Sequence, residues 1–195
     1  MKKKVAVFFP GVGYNCDKPL LYYLKKAAKE YDFQIIDISY GEFPKVDIKE
    51  NMELIYTQAL EAAEKQLADI GFSNDETVIF VSKSIGTAVA AKCQKKLSKR
   101  KDFPENCFNI YLTPVTASLP LMCGKGIVFS GTADGWVKKG EVEAWCKRNG
   151  YPLTMEEGAN HSMETGKLQM DLDILNRLVK SCRAYIEEIL PLQTF

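Results

Sequence analysis

The feature that most constrains this chain is a regular alternation of short apolar runs with longer segments of helical period. Val5 to Phe9 is a continuous apolar run closed by Pro10-Gly11 and reads as a buried strand. Asp17 to Tyr31 carries Leu20, Leu21, Leu24, Ala27 and Ala28 on one face, the spacing of a helix. Phe33 to Ser39 is a second strand, and Lys49 to Ile70 a long helix with Met52, Ile55, Tyr56, Ala59, Ala63 and Leu67 in register. Thr77 to Val81 is the third strand, followed by a helix over Ile85 to Lys99 whose inward face is Ala88, Val89, Cys93 and Leu97. Strands at Phe108 to Leu112, Gly126 to Ser130 and, more weakly, Leu153 to Glu156 complete the set. A short helix spans Glu141 to Arg148, and a final one, Asp171 to Leu190, presents Leu175, Leu178, Val179, Cys182, Ile186 and Ile189. Pro114 to Lys125 has no clear period and reads as loop.

Strands that alternate with helices imply a parallel sheet covered on both faces, a three-layer α/β/α sandwich. The expected strand order is 2-1-3-4-5-6, all parallel, with right-handed crossovers. The length of 195 residues suits one domain over 1–195, large enough to need no metal or disulfide staple. No repeat, linker or low-complexity tract interrupts it.

Charge and composition narrow the function. A net charge of +1 lacks the basic excess of a nucleic-acid binder. The apolar stretches are too short for a bilayer, so no membrane insertion is expected. The start, Met1-Lys2-Lys3-Lys4 before Val5 to Phe9, mimics a secretion signal, but the run stops at Pro10-Gly11 and no small-residue cleavage site follows. A cytoplasmic protein is the expectation. Six cysteines without a C-x-x-C pair then read as reduced thiols, mostly small core residues. A single histidine in the whole chain excludes a His-rich metal centre, and zinc-site spacing is absent.

In open parallel sheets, sites form beyond the carboxyl ends of the strands. The residues just after each strand are therefore the ones to inspect. Ser82-Lys83-Ser84-Ile85-Gly86 follows the third strand and matches the nucleophile elbow G-x-S-x-G, with Ser in place of the first Gly. Alone, the match is equally compatible with Ser84 capping the next helix. Asp134, in Ala133-Asp134-Gly135 after the fifth strand, is by itself an ordinary turn residue. His161 after the sixth strand is, by itself, an ordinary surface or hydrogen-bonded histidine.

The three together say more. A nucleophile, a base and an acid that orients the base are what a serine hydrolase needs. All three follow expected strands, in the order Ser, Asp, His, which is the α/β-hydrolase order. On the first loop, Gly11 and Gly13 fit either a plain βα turn or a loop whose amides approach an anion. A nucleotide loop is disfavoured, since G-x-G lacks a third glycine and G-K-[ST] is absent.

The chain resembles small members of the α/β-hydrolase family, close in style to the dienelactone-hydrolase-like group. The resemblance lies in Phe9-Pro10-Gly11-Val12-Gly13, Ser82 to Gly86, Gly131-Thr132-Ala133-Asp134 and Asn160-His161-Ser162-Met163-Glu164. Pro10 stands where many members have His, and Ser82 where most have Gly. Ser84 replaces the cysteine common in dienelactone chemistry, which argues against that substrate.

The resemblance implies an α/β-hydrolase fold with a reduced, mostly parallel six-stranded sheet. It implies that Ser84 attacks a carbonyl, His161 moves the proton, and Asp134 holds the imidazole. The N–H of Ile85 and that of Val12 or Gly13 would form the oxyanion hole. A cap is normally inserted between the fourth and fifth strands. Here that gap is about a dozen residues, an ordinary loop, so no cap domain is expected. Tyr14, Trp136, Met163 and Leu121 are pocket candidates beside Leu119 and Met122, with local packing the competing reading for each. Lys83 is expected near the mouth, either drawing an acidic substrate group or simply solvated.

The function so implied is hydrolysis of a carboxylic ester or thioester, with a small-molecule acyl substrate and no cofactor. A peptidase or amidase with the same triad, or a non-catalytic binding protein of the same fold, are the alternatives; the sequence leaves substrate and oligomeric state open. The rate should rise with pH as His161 loses its proton, with an apparent pKa near the ordinary value of about 6.5.

Overall fold

A computed structural model describes residues 3–74 and 76–190. Residues 1–2, 75 and 191–195 of the expected domain lie outside the described residues. The strands are β1 (Lys4–Phe9), β2 (Gln34–Asp37), β3 (Thr77–Lys83), β4 (Cys107–Leu112), β5 (Lys125–Gly131) and β6 (Leu153–Glu156). The helices are α1 (Pro19–Glu30), α2 (Met52–Ala68), α3 (Ile85–Leu97), α4 (Glu141–Asn149) and α5 (Leu168–Ile189).

The sheet has the expected order, β2-β1-β3-β4-β5-β6, and every pairing is parallel. Central β3 is buried along its full length. Strand alternation divides its neighbours' side chains between two cores. Ala6, Phe8, Ile79 and Val81 pack under α1 and α5 with Leu21, Leu24, Ile174 and Leu178. Val5, Val7, Phe9, Val78 and Phe80 face α2 and α3 with Ala59, Ala63, Val89 and Cys93. Tyr111 and Val128 continue that second face beneath Val142 and Cys146 of α4. The helical faces expected from periodicity are those that are buried: Leu20, Leu21, Leu24, Ala27 and Ala28 on α1, and Ala88, Val89, Cys93 and Leu97 among others on α3.

Between β4 and β5, the stretch expected as plain loop contains a short 3-10 turn, Thr116–Leu121. It buries Ser118 and Leu119 and is too small to cover the sheet edge. No cap domain is present among the described residues. Five of the six cysteines are buried, and all six are free. No helix of the described residues is long and apolar enough to cross a membrane.

Candidate active site

The carboxyl edge of the sheet is shaped first by β3. Ser84 links it to α3 with φ 57 and ψ −128, a backbone region costly for a residue with a side chain. The turn is held from three sides. The Ser84 N–H donates to the Leu112 carbonyl at 3.0 Å, and Thr87 donates both its N–H and its hydroxyl to the Ser84 carbonyl, at 3.0 and 2.6 Å. Gly86 lies against the end of β1, where an added Cβ would be 2.4 Å from the Pro10 oxygen. Ser82 is fully buried, and its hydroxyl reaches towards the Ile110 carbonyl at 3.5 Å, which accommodates Ser where the family has Gly.

Asp134 is placed by stitching the β5 and β6 loops together. Thr132 and Ala133 donate N–H groups to Glu156 and Ala159, and the Thr132 hydroxyl accepts from Gly158 N–H at 2.8 Å. The approach is so close at Gly131 that a Cβ there would meet the Ala159 oxygen at 2.1 Å. Asn160 shapes the next turn, its side-chain oxygen accepting from the N–H groups of Ser162 and Glu164 at 2.7 and 3.2 Å.

These loops bring the three residues into a single chain of hydrogen bonds. His161 Nε2 lies 2.8 Å from Ser84 Oγ, and His161 Nδ1 lies 2.8 Å from Asp134 Oδ2. The carboxylate can only accept, so Nδ1 carries the proton and Nε2 accepts from the serine hydroxyl. The other Asp134 oxygen accepts from Trp136 N–H at 2.9 Å, and the carboxylate is wholly shielded from solvent. The Trp136 ring packs on the imidazole, with centroids 5.5 Å apart.

Burial lowers the His161 pKa below its ordinary value; the Asp134 hydrogen bond opposes this, and the charge of Lys83 adds to the lowering. The expectation of a value near the free imidazole is therefore corrected downward.

The first loop forms a two-residue turn. Gly11 and Tyr14 exchange backbone hydrogen bonds at 3.0 and 3.3 Å, and Gly13 takes φ +67. Gly11 abuts Ser84, since a Cβ there would sit 3.1 Å from Ser84 Cβ. Among the described residues, the N–H groups of Val12, Gly13 and Ile85 make no hydrogen bond.

The pocket candidates separate. Tyr14 lines a cleft of about 440 Å³ with Pro10, Gly11, Gly13, Tyr40 and Phe43, between the ends of β1 and β2. Its hydroxyl accepts from Leu20 N–H at 3.0 Å. Trp136 flanks the imidazole. Met163, in contrast, is a core residue: it is buried with Ala159, Ile174 and Leu178, because an apolar side chain under the loop gains more from leaving water than from lining a wet mouth. Leu121 stands exposed at the end of the 3-10 turn.

Lys83 corrects the expectation of a solvated charge. It is 2% exposed, and its ammonium lies 4.6 Å from the centre of the Tyr14 ring. Sequence inspection missed this because a lysine is read as surface by default; the signal was that Lys83 continues the Ile79–Val81 face of β3. The cleft residues Tyr40 and Phe43 were missed as well, since they lie in an aperiodic stretch, and so was Ser39, read as the end of the second strand, which stops at Asp37.

No family model and no curated protein matches the chain. Solved structures do. One is a lidless α/β serine hydrolase from Xanthomonas campestris, 16% identical, with 95% of this chain and 83% of that one covered at a TM-score of 0.58. Another is an α/β serine hydrolase homologue from Coxiella burnetii, 16% identical, covering 92% and 84% at 0.54. A third is mouse alpha/beta hydrolase domain-containing protein 10, 10% identical, covering 95% and 90% at 0.65. Likeness at such identity concerns the backbone: this chain has the α/β-hydrolase fold in a small, capless form.

Proposed function

We propose that the chain is a serine hydrolase that cleaves a carboxylic ester or thioester through an acyl-enzyme. The observation that carries the reading is the chain Ser84 Oγ, His161 Nε2, His161 Nδ1, Asp134 Oδ2, with both gaps at 2.8 Å. Ser84 Oγ attacks the acyl carbon while its proton passes to His161 Nε2. Asp134 holds the ring and stabilises the imidazolium that forms. The carbonyl oxygen gains negative charge, and the unpaired N–H groups of Ile85 and of Val12 or Gly13 are the donors proposed to receive it. Collapse expels the alcohol or thiol, which takes the proton from His161. Water, activated by the same base, then releases the acid and restores the serine.

Strain at Ser84 supports this reading. A left-handed serine locked by three backbone and side-chain bonds is costly as a mere helix cap, and its hydroxyl bonds His161 instead of an α3 amide. The absence of a cap leaves the acyl side open, and Tyr14 and Trp136 are the apolar surfaces proposed to meet the substrate.

The test is labelling with a fluorophosphonate, which modifies only an activated serine. Wild type should label stoichiometrically and Ser84→Ala not at all; an unlabelled wild type would overturn the proposal. Acyl esters, acyl-CoA and peptidyl amides assayed side by side then identify the leaving group, and amide cleavage alone would overturn the ester reading.

A further inference from the structure

Lys83 has no place in the chemistry just described, yet it occupies an expensive position. Its side chain is buried on the face of β3 that runs through Ile79 and Val81. No carboxylate comes within ion-pair distance of it among the described residues. In place of a counter-ion it has the face of Tyr14, 4.6 Å from the ammonium, and that ring is itself pinned by the Leu20 N–H. Burying an ammonium without a counter-ion costs free energy, since desolvation disfavours the charged form.

The groups that share its surroundings show what the charge acts on. Asp134, on the β5 loop, and Glu164, on the β6 loop, both pull towards the charged form of Lys83. Desolvation outweighs them and lowers its pKa to about 8, so the ammonium is charged at neutral pH. The remaining titratable group is His161, which touches Asp134 and Ser84; Ala159 and Met163 on either side of it pack into the same core as Ile79 and Val81, on the face of β3 that Lys83 continues, so the imidazole meets Lys83 as a repelling cation. The other nearby cation, Lys49, is exposed and lies 5.1 Å from the centre of the Trp136 ring. Solvent screens an exposed charge and leaves a buried one effective.

We propose that Lys83 is a positioning residue that works through charge: a buried ammonium beneath the elbow whose field keeps the His161 imidazole in its proton-accepting form and so extends the working range of the site towards acid. Asp134 favours the imidazolium; burial of the ring opposes it most, and Lys83 adds to that opposition without touching the substrate. Lys83 loses its own charge above about pH 8, where His161 is already neutral, so the device operates only on the acidic side.

The chain has one histidine, which makes the test direct. The imidazole is titrated by NMR in wild type, Lys83→Met and Lys83→Arg, a readout that needs no activity. The midpoint should move up in Lys83→Met and return towards wild type in Lys83→Arg, which restores the cation; coincident wild-type and Lys83→Met curves would overturn the proposal. Should Lys83→Met fail to fold, Lys83→Gln serves as the neutral variant. The kinetic arm rests on the proposed hydrolase reading. In it kcat/KM of Lys83→Met falls about threefold or more on the acidic limb and meets wild type on the plateau, where the imidazole is neutral in both proteins. A loss of equal size at every pH, with an unmoved midpoint, would mark Lys83 as merely structural and refute the inference. Absence of turnover in every protein sinks the hydrolase reading alone, and the NMR midpoint still decides the role of Lys83.

Discussion

The carbonyl of Pro10 leaves no room for a side chain at position 86: a Cβ added to Gly86 would lie 2.4 Å from that oxygen, and 2.5 Å from that of Phe9. The first turn of α3 is thus seated directly on the loop that carries Val12 and Gly13. Backbone atoms cannot swing aside as a flexible side chain does. Gly86→Ala is expected to destabilise the fold by about 1–3 kcal/mol or more, the range for overpacking. It should also lower kcat by separating Ser84 from the first loop. Urea unfolding with a parallel ester assay checks this; unchanged stability would refute the packing argument.

In the proposed mechanism Ser84, His161 and Asp134 act on one proton, so their removal is not additive. Ser84→Ala, His161→Ala and the double variant should all lose activity to the same very large extent. Asp134→Asn should cost about 10⁴ in kcat, because the amide favours the wrong tautomer and cannot stabilise the imidazolium. The measurement is kcat/KM with a chromogenic short-chain ester on proteins matched for folding. His161→Ala retaining most of the rate would break the assignment, since no second histidine exists to replace it.

In the proposed mechanism the active form has a neutral imidazole. Burial and Lys83 lower the His161 pKa, so the rate should be at its plateau at neutral pH and fall only below about pH 6.5, the ordinary histidine value. A kcat/KM profile from pH 4.5 to about 9 tests this. A midpoint above the free-histidine value would mean that Asp134 dominates.

Lys83 also leaves a mark on stability. Its folded pKa of about 8 lies below the 10.5 of the free side chain, so the unfolded chain holds the proton more tightly. Protonation therefore opposes folding below about pH 8, and the penalty fades as pH rises towards 10.5. Lys83→Met should be more stable than wild type at pH 7 by on the order of 3 kcal/mol, and the gap should narrow to about 1 kcal/mol or less at pH 10. Paired denaturant titrations at the two pH values check it, with tyrosine and cysteine ionisation cancelling in the difference. A gap that widens with pH would contradict the burial of a charged amine.

What the sequence disclosed follows from where regular periods end. Sheet order and helix faces were legible because Val5–Phe9 and Thr77–Val81 are unbroken apolar runs and the helices carry clean stripes. Ser84, Asp134 and His161 were legible because each sits immediately after a strand and the histidine has no competitor. The 3-10 turn at Thr116–Leu121 was not, since a six-residue turn containing Pro120 has no repeat to detect. Met163 was misplaced for a related reason: the loop bends back at φ 61 and drives its side chain into the core, a direction no local pattern encodes. Lys83 defeated the usual weighting of charge towards solvent, which is right for most lysines and fails where a strand runs on under a loop.

Ser84 and His161 are 77 residues apart in the chain, with the histidine downstream. Translation delivers the amino-terminal part first, so Ser84, with β1 and β3 beside it, emerges well before the imidazole has been made. Until the loop after β6 is synthesised and docked, the serine is an ordinary alcohol. Under the proposed function, nascent and prematurely terminated chains that stop short of it are therefore chemically silent, and reactivity belongs only to chains whose sheet is whole.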